Sequence, residues 1–92
     1  MTTWVVKEEF VPIAGARERS DQELAEVAAK IRALLADHEG AANGRGDRFV
    51  ASAKVDAEDV AEADSWGRRV LYGEVSDLLD DWRLDRIDAW PA

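Results

Sequence analysis

Two carboxylates occupy positions at which the surrounding apolar pattern predicts burial. Glu8 interrupts the first strand-like segment, and Glu74 lies within the apolar stripe of a long helical segment. Burial raises the pKa of a carboxyl group, and a pair of such groups can supply a general acid and a general base. Glu8 and Glu74 are therefore the acids to test for catalysis. The competing interpretation places Glu8 at a bulge or sheet edge and exposes Glu74 through a helix break near Gly73.

The other side chains that could carry chemistry form no complete catalytic group. His38 is the only histidine, and it falls near the end of the first helical segment, where an imidazolium interacts favourably with the helix dipole. The chain has no cysteine, and its four serines have ordinary helix or strand explanations, so nucleophilic catalysis is not expected. The five aspartates from Asp77 to Asp88 do not follow the calcium-loop spacing. No catalytic residue, cofactor or metal site is predicted.

Trp66 and the arginines that follow it are the candidate contact with a partner. Trp66 lies off the centre of its helical stripe, and Arg68 and Arg69 come two and three residues later. Tryptophan and arginine are enriched at the energetic centres of protein interfaces. The alternative role for Trp66 is packing at the rim of the core.

Two strand-helix units and a last strand are predicted to position these side chains. Residues 3–13 are rich in β-branched and aromatic residues and end near Pro12, which favours an edge or terminating strand. A capping box beginning at Ser20 precedes apolar residues spaced by three and four, which predicts a helix that Gly40 ends. Residues 41–47 are predicted to be a flexible loop.

The second unit begins with residues 48–55, which alternate like a strand. Its predicted inner face consists of Phe49, Ala51, Ala53 and Val55. The two alanines leave room for a helix to approach the sheet closely. Acids from Asp56 onward are expected to cap a second helix, which would place Gly67 against the sheet and extend to Trp82. Residues 83–90 alternate again and predict the last strand.

The predicted fold is a two-layer α+β or α/β sandwich in which residues 1–92 form a single domain. The element order βαβαβ gives a small three-stranded sheet with two helices on one face. The other face would carry Val5, Val11 and Val50, and a second copy of the chain would cover it. The alternative is a ferredoxin-like βαββαβ order, with residues 69–75 recruited as the fourth strand.

Composition restricts the functional classes. The net charge of −8 disfavours direct contact with nucleic acid or an anionic membrane, whereas a basic protein fits as a partner. No apolar stretch suits a membrane span or an export signal, and the lack of cysteine favours the cytoplasm. Sixteen alanines, and nine arginines against three lysines, are typical of a GC-rich genome such as that of an actinobacterium or its phage.

These patterns favour a small acidic non-catalytic interaction or assembly module that self-associates, most simply as a homodimer. One alternative is a small enzyme with an acid/base pocket between sheet and helices, which would use Glu74 or His38. Another is an acidic nucleic-acid mimic that inhibits a host DNA-binding protein. The mimic would draw its charge from residues 56–92, where eleven acids and four bases give a net charge of −7.

Overall fold

Four strands and two helices make up the fold in the computed structural model, which describes residues 1–92. The strands are β1 (Thr2–Pro12), β2 (Ala41–Arg45), β3 (Arg48–Ala57) and β4 (Trp82–Pro91). The first helix is α1 (Asp21–Leu34), and a short 3-10 turn (Ala36–His38) follows it. The second helix, α2, covers residues 60–78 and consists of an α-helical part (Val60–Trp66), a π-helical turn (Gly67–Leu71) and a second α-helical part (Tyr72–Leu78).

The strands form one antiparallel sheet in the order β2-β3-β1-β4. The element order is βαββαβ, and the α+β class is confirmed. The expected three-stranded sheet with βαβαβ order is wrong, and the order observed is the one given above as the alternative. The fourth strand is β2, whereas residues 69–75 are helical. The prediction of a loop over residues 41–47 failed because small residues have weak strand propensity, and here pairing with β3 supplies the backbone hydrogen bonds.

The first strand lies at the centre of the sheet, between β3 and β4, so the expectation of an edge strand is wrong. Pro12 is the last residue of β1, where its missing N–H interrupts no further ladder hydrogen bond. Its partner is Trp82, which begins β4 and does not continue the second helix as expected. A central β1 places Glu8 in the middle of the sheet.

A β-bulge interrupts the pairing of β1 with β4. Glu9 pairs with Arg86, but the next residue of β1 pairs with Leu84, which leaves Asp85 without a partner. A bulge adds one residue to one strand and bends that strand locally. The extra residue explains why Leu84 and Ile87, three positions apart, lie on the same face of the sheet.

The core lies between the two helices and one face of the sheet. Its largest fully buried side chains are Phe10, Phe49, Leu24, Ile31, Leu71, Leu79, Glu8, Val6 and Val75. The predicted inner alanines, Ala51 and Ala53, are buried as expected. Gly44 of β2 brings α1 close to the sheet, because a Cβ there would lie 2.6 Å from Phe49 Cδ2 and 2.9 Å from Leu24 Cβ. Small residues thus set the spacing between the layers.

The predicted capping box begins α1. The Glu23 backbone N–H donates to Ser20 Oγ at 3.1 Å, and the Ser20 backbone N–H donates to Glu23 Oε1 at 3.3 Å. These two bonds satisfy donors that have no partner within the helix. The helix ends at Leu34, before Gly40, and Glu39 adopts a left-handed φ of 49° after the 3-10 turn.

The second helix continues through Gly73, so the expected break is absent. Buried residues recur every four positions along the helix and at the residue that follows it: Ala63, Gly67, Leu71, Val75 and Leu79. In an α-helix a spacing of four drifts by about 40° at each step, which would turn this row away from the sheet. The wider π-helical turn Gly67–Leu71 compensates for the drift. Glu74 therefore lies beside the buried row and is only partly buried.

Candidate functional site

The most extensive candidate surface is the side of the sheet opposite the helices, which we call the open face. Side chains alternate along each strand, so the residues between the buried ones point to this face. On the two central strands it carries half-buried Val5, Val11 and Val50. Trp90 of β4 pairs with Val5 and is 43% exposed. The open face therefore has an apolar centre with an exposed tryptophan beside it.

Charged side chains surround these apolar residues. The basic members of the open face are Lys7, Arg45, Arg48, Lys54, Arg83 and Arg86. The acidic members are Glu9, Asp56, Asp85 and Asp88. With six bases against four acids, the face has a net charge of +2 although the whole chain has −8. The alternation along β1 puts Lys7 and Glu9 on the face of Val5 and Val11, whereas the positions of Arg45 and Arg83 depend on the sheet order.

The ion pairs within the open face are exposed, and the shortest joins Arg86 Nε to Asp88 Oδ2 at 2.9 Å. Arg48 Nη1 lies 3.8 Å from Glu9 Oε2 and 3.8 Å from Asp85 Oδ2, and Arg83 Nη1 lies 3.3 Å from Asp85 Oδ1. Exposed pairs of this kind contribute at most about 1 kcal/mol each. The arginines can therefore exchange these partners for others at little cost.

The helix side of the molecule has the opposite charge. Residues 58–81 contain eight acidic side chains and two basic ones, a net charge of −6. Only two of the acids form ion pairs, Asp64 with Arg68 and Asp81 with Arg19. The acids without an ion pair are Glu58, Asp59, Glu62, Glu74, Asp77 and Asp80. The acidic charge is thus already concentrated in one segment of the sequence, whereas the bases of the open face come from all four strands.

The predicted partner contact lies on α2. Trp66 is half-buried against the core, and its ring centroid is 4.9 Å from that of His38. Arg68 and Arg69 are exposed, and Arg68 Nε lies 2.8 Å from Asp64 Oδ2. The structure places these three residues on the acidic side of the molecule. Their role in binding a partner stays a prediction.

His38 connects the turn after α1 to the sheet. Its Nδ1 lies 3.0 Å from the backbone carbonyl oxygen of Lys54, which makes that nitrogen the donor of a hydrogen bond. The expected interaction with the end of the helix is replaced by this bond and by the contact with Trp66. His38 therefore has a structural explanation.

Glu8 is the most unusual side chain of the molecule. It is fully buried, and neither carboxyl oxygen has a hydrogen-bond partner. Loss of hydration by burial raises its pKa to about 8, an effect that nearby Arg68 opposes and Asp64 reinforces. Glu8 does not lie at a sheet edge, and the bulge lies next to it, between Glu9 and Phe10 on the side of β4. Glu8 is therefore a neutral carboxylic acid at neutral pH.

The helix lies directly over Glu8 at Gly67. A Cβ at position 67 would lie 2.6 Å from Val6 Cγ1, 3.1 Å from Glu8 Oε2 and 3.3 Å from Ile87 Cδ1. The predicted approach of Gly67 to the sheet is confirmed. No cleft is lined by Glu8 or Glu74, so the two acids do not share an accessible site.

Two clefts are present elsewhere. The larger, of about 620 Å³, lies where the loop before α1 meets the β2–β3 turn and Trp82. Its only hydroxyl belongs to Ser20 and serves the helix cap, and Arg19 Nη2 lies 2.9 Å from Asp81 Oδ1. The smaller, of about 450 Å³, is lined by His38 and by charged residues such as Lys54. The smaller cleft also holds the Thr3 hydroxyl, which donates to Asp56 Oδ1 at 2.6 Å. His38 Nδ1 is bonded to the Lys54 carbonyl oxygen, and the hydroxyl and the imidazole are not hydrogen-bonded to each other.

The remaining observations identify neither a ligand nor a related protein. No group of three or more histidine, cysteine, aspartate or glutamate side chains is arranged to hold a metal ion. None of the helices combines the length and the hydropathy that a membrane-spanning helix requires. Comparisons with protein-family models, curated proteins and solved structures find no match to this chain. The functional argument therefore depends on the surfaces and side chains described above.

Proposed function

We propose that this protein is a non-catalytic interaction or assembly module that self-associates through the open face of its sheet. The observation that supports the proposal is a four-stranded sheet with helices on one side only. Val5, Val11 and Val50 lie at the centre of the uncovered side, with Trp90 beside Val5. Covering these side chains would extend the small core of a 92-residue chain.

The size of the open face indicates how strong such a contact is. Three strands about 30 Å long and the five-residue β2, spaced about 4.8 Å apart, give a face of roughly 500 Å². A stable interface buries about 800 Å² on each partner, so this contact belongs to the weaker class. We therefore expect self-association in the micromolar range or above. The cytoplasmic placement expected from the absence of cysteine belongs to the same proposal.

Sedimentation velocity over a wide range of protein concentration tests the proposal. Trp90→Ser removes the exposed aromatic side chain of the face, and we expect it to weaken self-association by about tenfold or more, since tryptophan is a frequent interface anchor. Ile13→Ser is the matched control, because Ile13 is 45% exposed but lies outside the sheet. A wild-type chain that stays monomeric up to millimolar concentration would refute the proposal.

A further inference from the structure

The two sides of the molecule carry charges of opposite sign, and this separation bears on how two copies meet. The open face has a net charge of +2, and the α2 side formed by residues 58–81 has −6. Two copies repel each other on average because each has a net charge of −8. An orientation that places the open face of one copy against α2 of the next brings opposite charges together.

A symmetric face-to-face pair has the opposite electrostatics. It would bring together two open faces that each carry a net charge of +2. Juxtaposed like charges at an interface are costly, and they select against that arrangement. The central valines would be covered in either orientation. The charges therefore favour the head-to-tail orientation over the face-to-face orientation.

Four arginines concentrate the positive charge at one end of the open face. Arg45 pairs with Arg48 across the β2–β3 turn, and Arg83 lies opposite Val11 on the far side of β1. Arg86 follows within β4, and its side chain is 66% exposed. Arg45 makes no ion pair, and Arg48, Arg83 and Arg86 form only exposed pairs, with carboxylate oxygens 3.8, 3.3 and 2.9 Å away. These guanidinium groups are available to carboxylates of another molecule, which they can bind in bidentate geometry.

The helix α2 supplies a matching surface. Exposed Glu58, Asp59 and Glu62 lie at its beginning, and exposed Asp77 and Asp80 lie at its end. None of these carboxylates forms an ion pair within the chain. Its 19 residues extend about 28 Å, close to the length of the strands that form the face. A helix of this length can lie across the whole open face.

We infer that α2 of one copy docks on the open face of another copy, head to tail. This inference rests on the proposed function and adds that α2 is the surface to which the open face binds. Because the two surfaces differ, each copy has one free face and one free helix after docking, so association continues into a chain or closes into a ring. Because the contact is between opposite charges, salt weakens it.

Complementation between two charge-reversal variants tests this arrangement. The face variant combines Arg83→Glu with Arg86→Glu, and the helix variant combines Glu62→Lys with Asp77→Lys. Each variant alone brings like charges together at the substituted positions and is expected to be monomeric, whereas an equimolar mixture is expected to associate, because each surface of one variant then meets opposite charges on the other. Circular dichroism of each variant checks folding, and Arg83→Ser with Arg86→Ser is the milder replacement if the face variant unfolds.

The outcomes separate the inference from the proposed function. A helix variant that self-associates like the wild type would overturn head-to-tail docking and leave association through the open face intact. Wild-type self-association that does not weaken by about tenfold between about 0.05 and about 0.5 M NaCl would also overturn it. A wild-type chain that never associates refutes both. Association only in the mixture supports both.

Discussion

Glu8 makes the stability of this protein depend on pH in an unusual direction. Folding buries the carboxyl group without a hydrogen-bond partner, so the folded state favours the protonated form and the pKa rises from 4.5 to about 8. Well below about pH 4.5 the carboxyl group is protonated in both the folded and the unfolded chain, so its burial then carries no charge penalty. Stability is then lost as pH rises toward 8, because the unfolded chain releases this proton and the folded chain retains it.

Replacing Glu8 with glutamine removes this dependence while keeping nearly the same shape. Near pH 5 the two proteins are expected to have similar free energies of unfolding, and at pH 9 Glu8→Gln is expected to be more stable by a few kcal/mol, at most about 5. Urea unfolding at several pH values measures the difference. Glu26→Gln, which changes an exposed carboxylate on α1, controls for the loss of one negative charge. Parallel pH profiles for wild type and Glu8→Gln would contradict the prediction.

At the scale of the element, the close approach of α2 to the sheet depends on Gly67. A methyl group at this position would press on Val6, Glu8 and Ile87 at 2.6 to 3.3 Å. Alanine favours helix by up to about 1 kcal/mol over glycine, but crowding in a packed core costs about 1 to 3 kcal/mol. We therefore expect Gly67→Ala to be destabilising by about 1 to 2 kcal/mol in thermal or urea unfolding.

Gly73 provides a matched control in the same helix. Nothing lies within 4 Å of a Cβ placed there, so Gly73→Ala retains the propensity gain and is expected to stabilise by up to about 1 kcal/mol. The two substitutions are chemically identical and differ only in their surroundings. Equal effects at both positions would show that α2 does not approach the sheet at Gly67.

The elements differ in how far the sequence predicts them. The capping box at Ser20, the inner alanines of β3 and the last strand follow from local patterns, and each is confirmed. β2 has no such pattern, because its five residues, Ala41–Arg45, are mostly small and its pairing with β3 is a tertiary property. The π-helical turn was also unforeseen, although the spacing of four among the buried residues of α2 is visible in the sequence.

The candidate surfaces were less predictable than the elements. Glu8 was recognised as anomalous, but its burial depends on β1 being central, which strand order decides. The positive charge of the open face is invisible in the chain because Arg45, Arg48 and Arg83 come from three strands. Only the register brings them to one end of one face.

At the scale of the whole molecule, self-association and stability are coupled. A partner that binds only the folded chain stabilises it by mass action, so the melting temperature is expected to rise with protein concentration. Above the dissociation constant, each tenfold increase adds at most about 1.4 kcal/mol, or several °C for a domain of this size. Differential scanning calorimetry measures this shift. The variant with Arg83→Glu and Arg86→Glu should show no shift, and a constant wild-type melting temperature would argue against association.

The bulge at Asp85 has a consequence for the solubility of the molecule. β4 is a ten-residue strand at the edge of the sheet, and a regular edge of that length offers a template on which further strands can add to form fibrils. The unpaired residue breaks the repeat of N–H and C=O groups near the middle of the strand. Arg83 and Arg86, on either side of it, add charge that an incoming strand would have to accommodate. The bulge thus protects the molecule against amyloid-like growth along β4.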